Sequence, residues 1–432
     1  MLTRTSPRLY ARSAASARRA LAFAMAAVLL VGGCGALSDS GGDGTTTVDV
    51  WLMKGSLTDE FTKDFVNDYE SRNPGVEASV TVHEWPGINK KVHKALRSGD
   101  GPDVIEVGNT QVAEYVEAGG VRNFTTEVVD LGGDDWIDGL AASGQVDGYQ
   151  FGVPFYAANR VVIYRKDLFR QAGIESPPRT REQWLSATEL LDGPPGQQGI
   201  YLPGQNWYVL AGFIWDEGGD LAVERSGRWA GEVDSPEALR GMDFYSRLQS
   251  YGEARPDADE ADPDELQVFA KGEIAQLIAV PGSAKLITDT NPELAGKLGF
   301  FPVPGKKAGT PGAVFTGGSV LIMPEKSDAQ EEGYEFIKQL ASDDWQQRMA
   351  RTMSFVPNKS TLTGALESEP GAAAMAKAAE NGRATPASPH WGDLEARNPL
   401  KEYQTAVLRG ADARKAARTA SEKITRLLSG GP

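Results

Sequence analysis

The sequence predicts an α/β fold with parallel strands, because strand-like runs alternate with helix-spaced apolar residues three times within about seventy residues, with turn residues between them. Val48-Asp49-Val50-Trp51-Leu52-Met53 is the first strand-like run. From Thr58 the period changes, and Phe61, Phe65, Val66 and Tyr69 recur at helical spacing. Thr58 suits the N-cap, Asp59 and Glu60 the first turn, and Asn73-Pro74-Gly75 the stop. Val76, Ala78, Val80 and Val82 then alternate as a second strand, and Ile88, Val92 and Leu96 form the next helix face. Pro102 to Val107 is a third strand, followed by helix-spaced Val112, Tyr115 and Val116. In such a sheet the ligand site lies beyond the carboxyl ends of the strands.

Charge and composition exclude several functions. The 432 residues carry 44 Lys and Arg against 59 Asp and Glu, a formal −15. Residues 1–33 hold five Arg and no acid, so the remainder carries about −20. That field repels phosphate backbones and argues against nucleic acid as a partner. The single cysteine, Cys34, excludes an internal disulfide. His83, His93 and His390 are scattered without ligand spacing, so neither a metal site nor a cofactor is expected. The chain contains no Gly-x-Ser-x-Gly elbow, phosphate loop or His-Glu-x-x-His, so no enzyme is expected.

The N-terminus reads as an export signal. Arg4, Arg8, Arg12, Arg18 and Arg19 precede the apolar run Leu21–Val31, which is short for a membrane span. Val31-Gly32-Gly33-Cys34 resembles the end of a bacterial lipoprotein signal, with Cys34 as lipid acceptor. Arg18-Arg19 is a weak match to a twin-arginine signal, which leaves the general and twin-arginine export routes both open. Residues 34–47 are then a flexible tether; the thirteen residues Gly35–Thr47 have an r.m.s. reach of roughly 20 Å. Two acyl chains on Cys34 would hold the protein at the extracellular face of the cell membrane.

Several segments resemble the maltose-binding type of extracellular solute-binding protein, the receptors of carbohydrate ABC importers, over essentially all of residues 48–432. Ser98-Gly99-Asp100-Gly101-Pro102-Asp103-Val104 is similar to that family's lead into the third strand. Gly152-Val153-Pro154-Phe155-Tyr156, with Val162 to Phe169, resembles its first interlobe crossing. Phe269, Lys271, Gly272 and Glu273 match a Phe-x-x-Gly helix pattern. Thr316 to Ile322, then Tyr334 to Leu340, resembles the return crossing and its helix. The five segments come in the family's order.

The resemblance implies a two-lobed periplasmic-binding-protein-like fold, each lobe a mostly parallel sheet flanked by helices, joined by hinge crossings. Lobe one would hold 48–157 with 317–358, and lobe two 158–316 with 359–432. It implies the substrate-binding component of an ABC sugar importer, closing on a sugar of oligosaccharide size. The partners would be that sugar and the membrane permease subunits; the protein would act as a monomer and touch the membrane through its lipid anchor alone.

A pyranose presents C–H faces and a rim of hydroxyls, so its site needs flat aromatics with amide, carboxylate and backbone groups at their edges. Lys54 and Ser56 follow the first strand, Glu84 and Trp85 the second, and Asn109 and Thr110 the third. Tyr156 and Asn159 lie at the first crossing, and Gly318 at the return. Asn206-Trp207-Tyr208 resembles the family's lobe-two aromatic platform, and Trp391 a C-terminal aromatic that reaches the cleft. Asn109 has the alternative use of capping the next helix. In place of the family's Gly-Pro-Trp-like segment stands Val280-Pro281-Gly282-Ser283, without an aromatic, so a maltodextrin preference is not carried over; Gly282 and Ser283 would supply backbone and hydroxyl donors.

Two alternatives remain at this level. A secreted glycoside hydrolase would need two carboxylates facing each other roughly 5–9 Å apart. The densest acidic run, Asp257–Glu265, reads as a solvated loop. The same fold could instead bind a glycerophosphodiester, a polyamine or ferric iron.

Overall fold

The computed structural model describes residues 45–98, 101–366, 368–386, 388 and 390–430. The proposed signal, Cys34 and most of the tether lie outside them, as do Gly99 and Asp100 of the Pro-Asp-Val segment and Pro389. Strand β1 (Thr46–Met53) begins two residues before the expected start at Val48. Thr46 and Thr47 therefore belong to the sheet and not to the tether, because their backbone pairs in register with Val76 and Glu77.

The alternation read from the sequence is present. Helix α1 (Asp59–Arg72) starts at Thr58, whose hydroxyl accepts from the Phe61 N–H at 3.1 Å, and ends at Asn73. Gly75, at φ +87°, makes the reversal into β2 (Val76–His83). Helix α2 (Ile88–Ser98) leads to β3 (Val104–Gly108), followed by α3 (Val112–Ala118). β1 pairs in parallel with both β2 and β3, the arrangement that helical crossovers require.

Strands β4 (Val153–Asn159) and β5 (Val161–Arg165) are separated only by Arg160, yet they belong to different sheets. β5 is the middle strand of a three-stranded sheet, paired antiparallel with β6 (Gln276–Ala279) and β7 (Leu298–Phe301). The chain returns through β8 (Val314–Ile322), which runs antiparallel to both β3 and β4. β9 (Val356–Pro357) pairs with β4, and β10 (Gly382–Arg383) with β8. The larger sheet has the order β9-β4-β8-β3-β1-β2, with β10 on β8.

The two sheets joined by crossing strands give the two-lobed α/β architecture. The larger sheet is mixed and the three-stranded sheet antiparallel, where mostly parallel ones are expected. Strands β4 and β8 run between the sheets with no helical crossover returning them to a neighbour, so they pair antiparallel. Close approach of the crossings needs glycine: a Cβ on Gly318 would stand 2.6 Å from the Tyr156 carbonyl.

On the outer side of the larger sheet, Phe65 of α1 meets Phe336 and Trp345 edge-on at centroid distances of 4.9 and 5.0 Å. On the smaller sheet's side, helix Trp207–Asp216 packs against Pro236–Gln249. The chain ends in helices Trp391–Arg397, Pro399–Leu408 and Ala413–Leu428; the second packs on Trp207–Asp216 and the third on the hairpin Ala222–Gly231.

Phe65 is 1% exposed and fills an aromatic cluster whose ring geometry leaves little room to relax. Phe65→Ala is expected to destabilise the fold by about 3–5 kcal/mol, read as a shifted denaturant midpoint with unchanged slope.

Candidate functional site

A cavity of about 560 Å³ lies between the two sheets, beyond the carboxyl ends of β1, β2 and β3. The strand ends contribute Lys54, Glu84, Trp85, Asn109 and Thr110 to its lining, the crossing strands Tyr156 and Gly318, and the far wall Trp207, Tyr208 and Ser283. The fold thus brings these ten expected site residues into one lining.

Four others stand behind it. Ser56 is completely buried and donates to Glu106 at 2.6 Å. Asn159 is 5% exposed with its side-chain oxygen unpaired. Gly282 is held against Met353, whose carbonyl a Cβ would meet at 2.5 Å. Trp391 does not reach the cavity: it is 2% exposed and its apolar ring packs against Trp207 at 6.1 Å. Asn109 does not cap α3, whose N-cap is Gln111; its N–H instead donates to the Gly318 carbonyl at 3.0 Å.

The aromatic pair is present but differs from an open platform. Helix Trp207–Asp216 begins where the Asn206 side chain accepts from the Val209 N–H at 3.2 Å. This puts Trp207 and Tyr208 at the cavity wall with centroids 4.0 Å apart. Trp207 is 3% exposed, packed also on Phe315. The Arg160 guanidinium lies 4.3 Å over the Tyr208 ring. Tyr208 is therefore flanked by Trp207 and Arg160, and half-buried Trp85, whose indole N–H donates to the Lys54 carbonyl at 3.2 Å, is the freer surface.

Polar contacts bridge the cleft. Lys54 Nζ lies 2.8 Å from Glu84 and 2.7 Å from Asp264 on the opposite wall. Burial opposes its charge, but the hydrogen bonds to Asp264 and Glu84 prevail and raise its pKa. Glu395 accepts from Tyr208 at 2.8 Å and from Thr110, across the cleft, at 3.1 Å. Below the floor, Glu106 of β3 is completely buried and accepts from the Met53 N–H at 2.8 Å and from the Ser56 and Tyr156 hydroxyls.

The acidic run Asp257–Glu265 corrects the sequence reading in part: Asp257 and Asp262 are exposed, but Glu260, Asp264 and Glu265 fold into the cleft wall. Asp259 accepts from the Ala261 and Asp262 N–H groups and pairs with Lys401 at 2.9 Å. Asp264 caps helix Glu265–Ala270 with one oxygen and reaches Lys54 with the other. Glu260, Asp264 and Glu265 all line the cavity. Acidic composition describes solubility, whereas Lys401 and Lys54, which draw this run inward, are remote in sequence. Arg160, Gln205, Phe315 and Glu395 are further lining residues that sequence reasoning missed. The one-residue spacing between two apolar strands at Arg160 was the available signal for the first of these.

Among the described residues no group of three or more His, Cys, Asp or Glu is arranged to hold a metal, and no helix is long and apolar enough to cross a membrane.

The family model for bacterial extracellular solute-binding proteins matches residues 54–347. The chain belongs to this family. The solute-binding protein is 33% identical over 407 residues to the diacetylchitobiose-binding protein DasA of Streptomyces coelicolor, with 92% of this chain and 95% of that one covered. Its fold matches an ABC-transporter solute-binding protein from Thermotoga lettingae bound to α-D-tagatose (TM-score 0.79, 21% identity, 89% of this chain and 100% of the other). It also matches the GacH receptor of Streptomyces glaucescens, solved unliganded and with acarbose (TM-score 0.78, 22% identity, 90% and 100% covered).

Burial raises the carboxyls of Glu260, Glu265 and Glu395 in this solute-binding protein; for Glu265 the neighbouring Glu260 adds to it. Each binds its proton more tightly when folded. The associated stability is therefore fully present below the unfolded Glu value, about 4.3, and is lost as pH rises through the raised folded values. Glu265→Gln, which cannot ionise, is expected to show a smaller fall in melting temperature than wild type between about pH 5 and 8, measured by calorimetry without ligand.

Proposed function

We propose that the protein is the substrate-binding component of an ATP-driven importer and captures a sugar, of oligosaccharide size, by closing its two lobes around it. The observation that carries this reading is the interlobe cavity of about 560 Å³, which combines ring surfaces (Trp85, Tyr156, Phe315) with amide, hydroxyl and carboxylate edges (Asn109, Gln205, Ser283, Glu395). That volume lies in the range of small-molecule sites. The names of the relatives, a diacetylchitobiose-binding protein and a receptor solved with acarbose, support a saccharide as the ligand class.

The lobes in this reading are 48–157 with 317–358 and 158–316 with 359–432, and the crossings lie near Arg160, between β7 and β8, and just after β9. Sheet membership supports the outline of that division, with β5, β6 and β7 in the smaller sheet, while β4 and β8 of the larger sheet run two and three residues past its bounds and β10 joins the larger sheet from the lobe-two range. Sugar would settle on one lobe, and Lys54–Asp264 and Thr110–Glu395 would form as the other closes. The ligand shifts the lobes only by its greater affinity for the closed form. The permease subunits would read that closed shape. The bound sugar is released unchanged, with no turnover, and the protein acts as a monomer.

Trp85→Ala is expected to weaken sugar binding by about five- to tenfold, roughly 1 kcal/mol for one lost ring face, with an unchanged melting temperature. Titration calorimetry against a panel of mono- and oligosaccharides reads this. Release of reducing ends from any oligosaccharide would instead favour the hydrolase.

Anchoring is the second part of the reading. Cys34 carries the lipid, and the protein stands on the extracellular face of the membrane. Cys34→Ser is expected to move the protein from the membrane fraction to the medium; retention of the variant on membranes would refute lipidation.

A further inference from the structure

We propose that closure of the lobes requires glycine at position 392, whose lack of a side chain lets helix Trp391–Arg397 seat on the Glu114 carboxylate of α3 beside the cleft. The inference rests on the lobe-closing reading and adds to it a contact that touches no sugar.

Glu114 stands on α3, in the range assigned to lobe one, and helix Trp391–Arg397 in the range assigned to lobe two. The helix is tied to its own lobe through Trp391, whose ring lies 6.1 Å from Trp207, and through packing on Ala413–Leu428; it also meets α3. Gly392 is buried, and a Cβ built there would overlap the Glu114 carboxylate, with the carboxyl carbon 2.6 Å and the Glu114 Cβ 3.2 Å away. The three nearest atoms to that Cβ all belong to Glu114, so the crowding falls across the lobe boundary and not within lobe two. Neither residue lines the cavity, although their neighbours Asn89 and Glu395 do.

The carboxylate is not free to swing aside. Asn89 Nδ2 donates to both of its oxygens, at 3.0 and 3.1 Å, and His93 Nε2 lies 2.5 Å from Oε1. Both partners come from α2, on the same lobe, and only 11% of the Glu114 side chain is exposed. Glu114 is therefore held in place whether the lobes stand apart or together. One turn beyond Gly392, Glu395 accepts from the Thr110 hydroxyl of lobe one at 3.1 Å, a second contact along the same helix. The approach also brings Glu395 near Glu114, a like-charge cost set against the hydrogen bonds that Thr110 and Tyr208 donate.

A methyl at position 392 leaves two ways to close. Either Glu114 gives up Asn89 and His93, losing hydrogen bonds to a charged group, or the helix stands off from α3 and Glu395 loses Thr110. Both penalise the closed form alone, because separated lobes leave the methyl unopposed. Within the helix the same change is favourable, since alanine is the better helix former and Gly392 has no positive φ that would forbid it. Fold and closure therefore respond in opposite directions.

The test combines titration calorimetry and small-angle scattering on the full chain with the disaccharide diacetylchitobiose, maltotriose taking its place if the wild-type chain does not bind it. Gly392→Ala is expected to bind at least about tenfold more weakly than wild type and to need correspondingly more sugar before its scattering radius falls. Its melting temperature without sugar is expected to be no lower than that of wild type. Glu114→Ala clears the space the methyl needs, so adding Gly392→Ala to it is expected to change affinity by about threefold or less. Should Glu114→Ala fail to fold by its melting curve, Glu114→Ser carries the same comparison. Equal affinity of Gly392→Ala and wild type would overturn the proposal. A tenfold loss that persists without the Glu114 carboxylate would overturn Glu114 as the partner. A wild-type chain that neither binds nor contracts with these probes or any other saccharide would instead remove the lobe-closing reading itself.

Discussion

The buried Glu106 carboxylate is the constraint on which the cleft floor depends. A charge-bearing group at 0% exposure persists only if its oxygens are fully used. Its partners come from three places in the chain: the Met53 N–H at the end of β1, the Ser56 hydroxyl in the loop beyond it, and the Tyr156 hydroxyl on the first crossing strand. Meeting all three fixes where β1 ends relative to β3 and draws β4 against both. Tyr156 is further held by Phe355, stacked at 4.3 Å. The floor thus ties three chain segments together, and the chain leaves it at Arg160, before the smaller sheet begins.

Arg160 accordingly stands at a junction of functions. It is the single residue between the last position of β4 and the first of β5. Its guanidinium covers the Tyr208 ring and faces Glu260. One side chain thus ties the crossing to both the aromatic and the acidic part of the cleft wall. Lys54 does the same at the cleft mouth, where its attraction to Asp264 spans the two walls.

The parts of this arrangement that follow from local pattern were legible in the sequence. The period-2 run at Val76–Val82, the helical spacing of Phe61, Phe65 and Tyr69, and the Thr58 cap all depend on near neighbours, and each appears where it was read. Positions just beyond strand ends were legible for the same reason, since the parallel-sheet rule fixes where they must point. Orientation was not. Trp207 and Tyr208 lie at the wall, yet Arg160 and Phe315 decide how much of each ring is free, and neither contact has a local signature. Trp391 turns into the core because the Trp207 ring offers it an apolar partner there. The antiparallel pairing of β8 with β3 and β4 depends on the route of a whole lobe, which composition does not encode.

The acidic segment carries this argument furthest. Alone, Asp257–Glu265 would repel itself and stay in water. In the fold its members are sorted by the cations that reach them. Arg409 takes Asp257, Lys401 takes Asp259 and Lys54 takes Asp264, the first two arriving from the C-terminal end of the chain and the third from the opposite wall. Glu260 and Glu265 are carried inward with the segment, where the Arg160 guanidinium comes within 3.5 Å of Glu260. Their burial is thus imposed by the ion pairs on either side and not by any favourable setting of their own. A cleft wall whose acidic residues are held in place by the surrounding scaffold is organised before any ligand arrives, so little of the binding free energy is spent on ordering it.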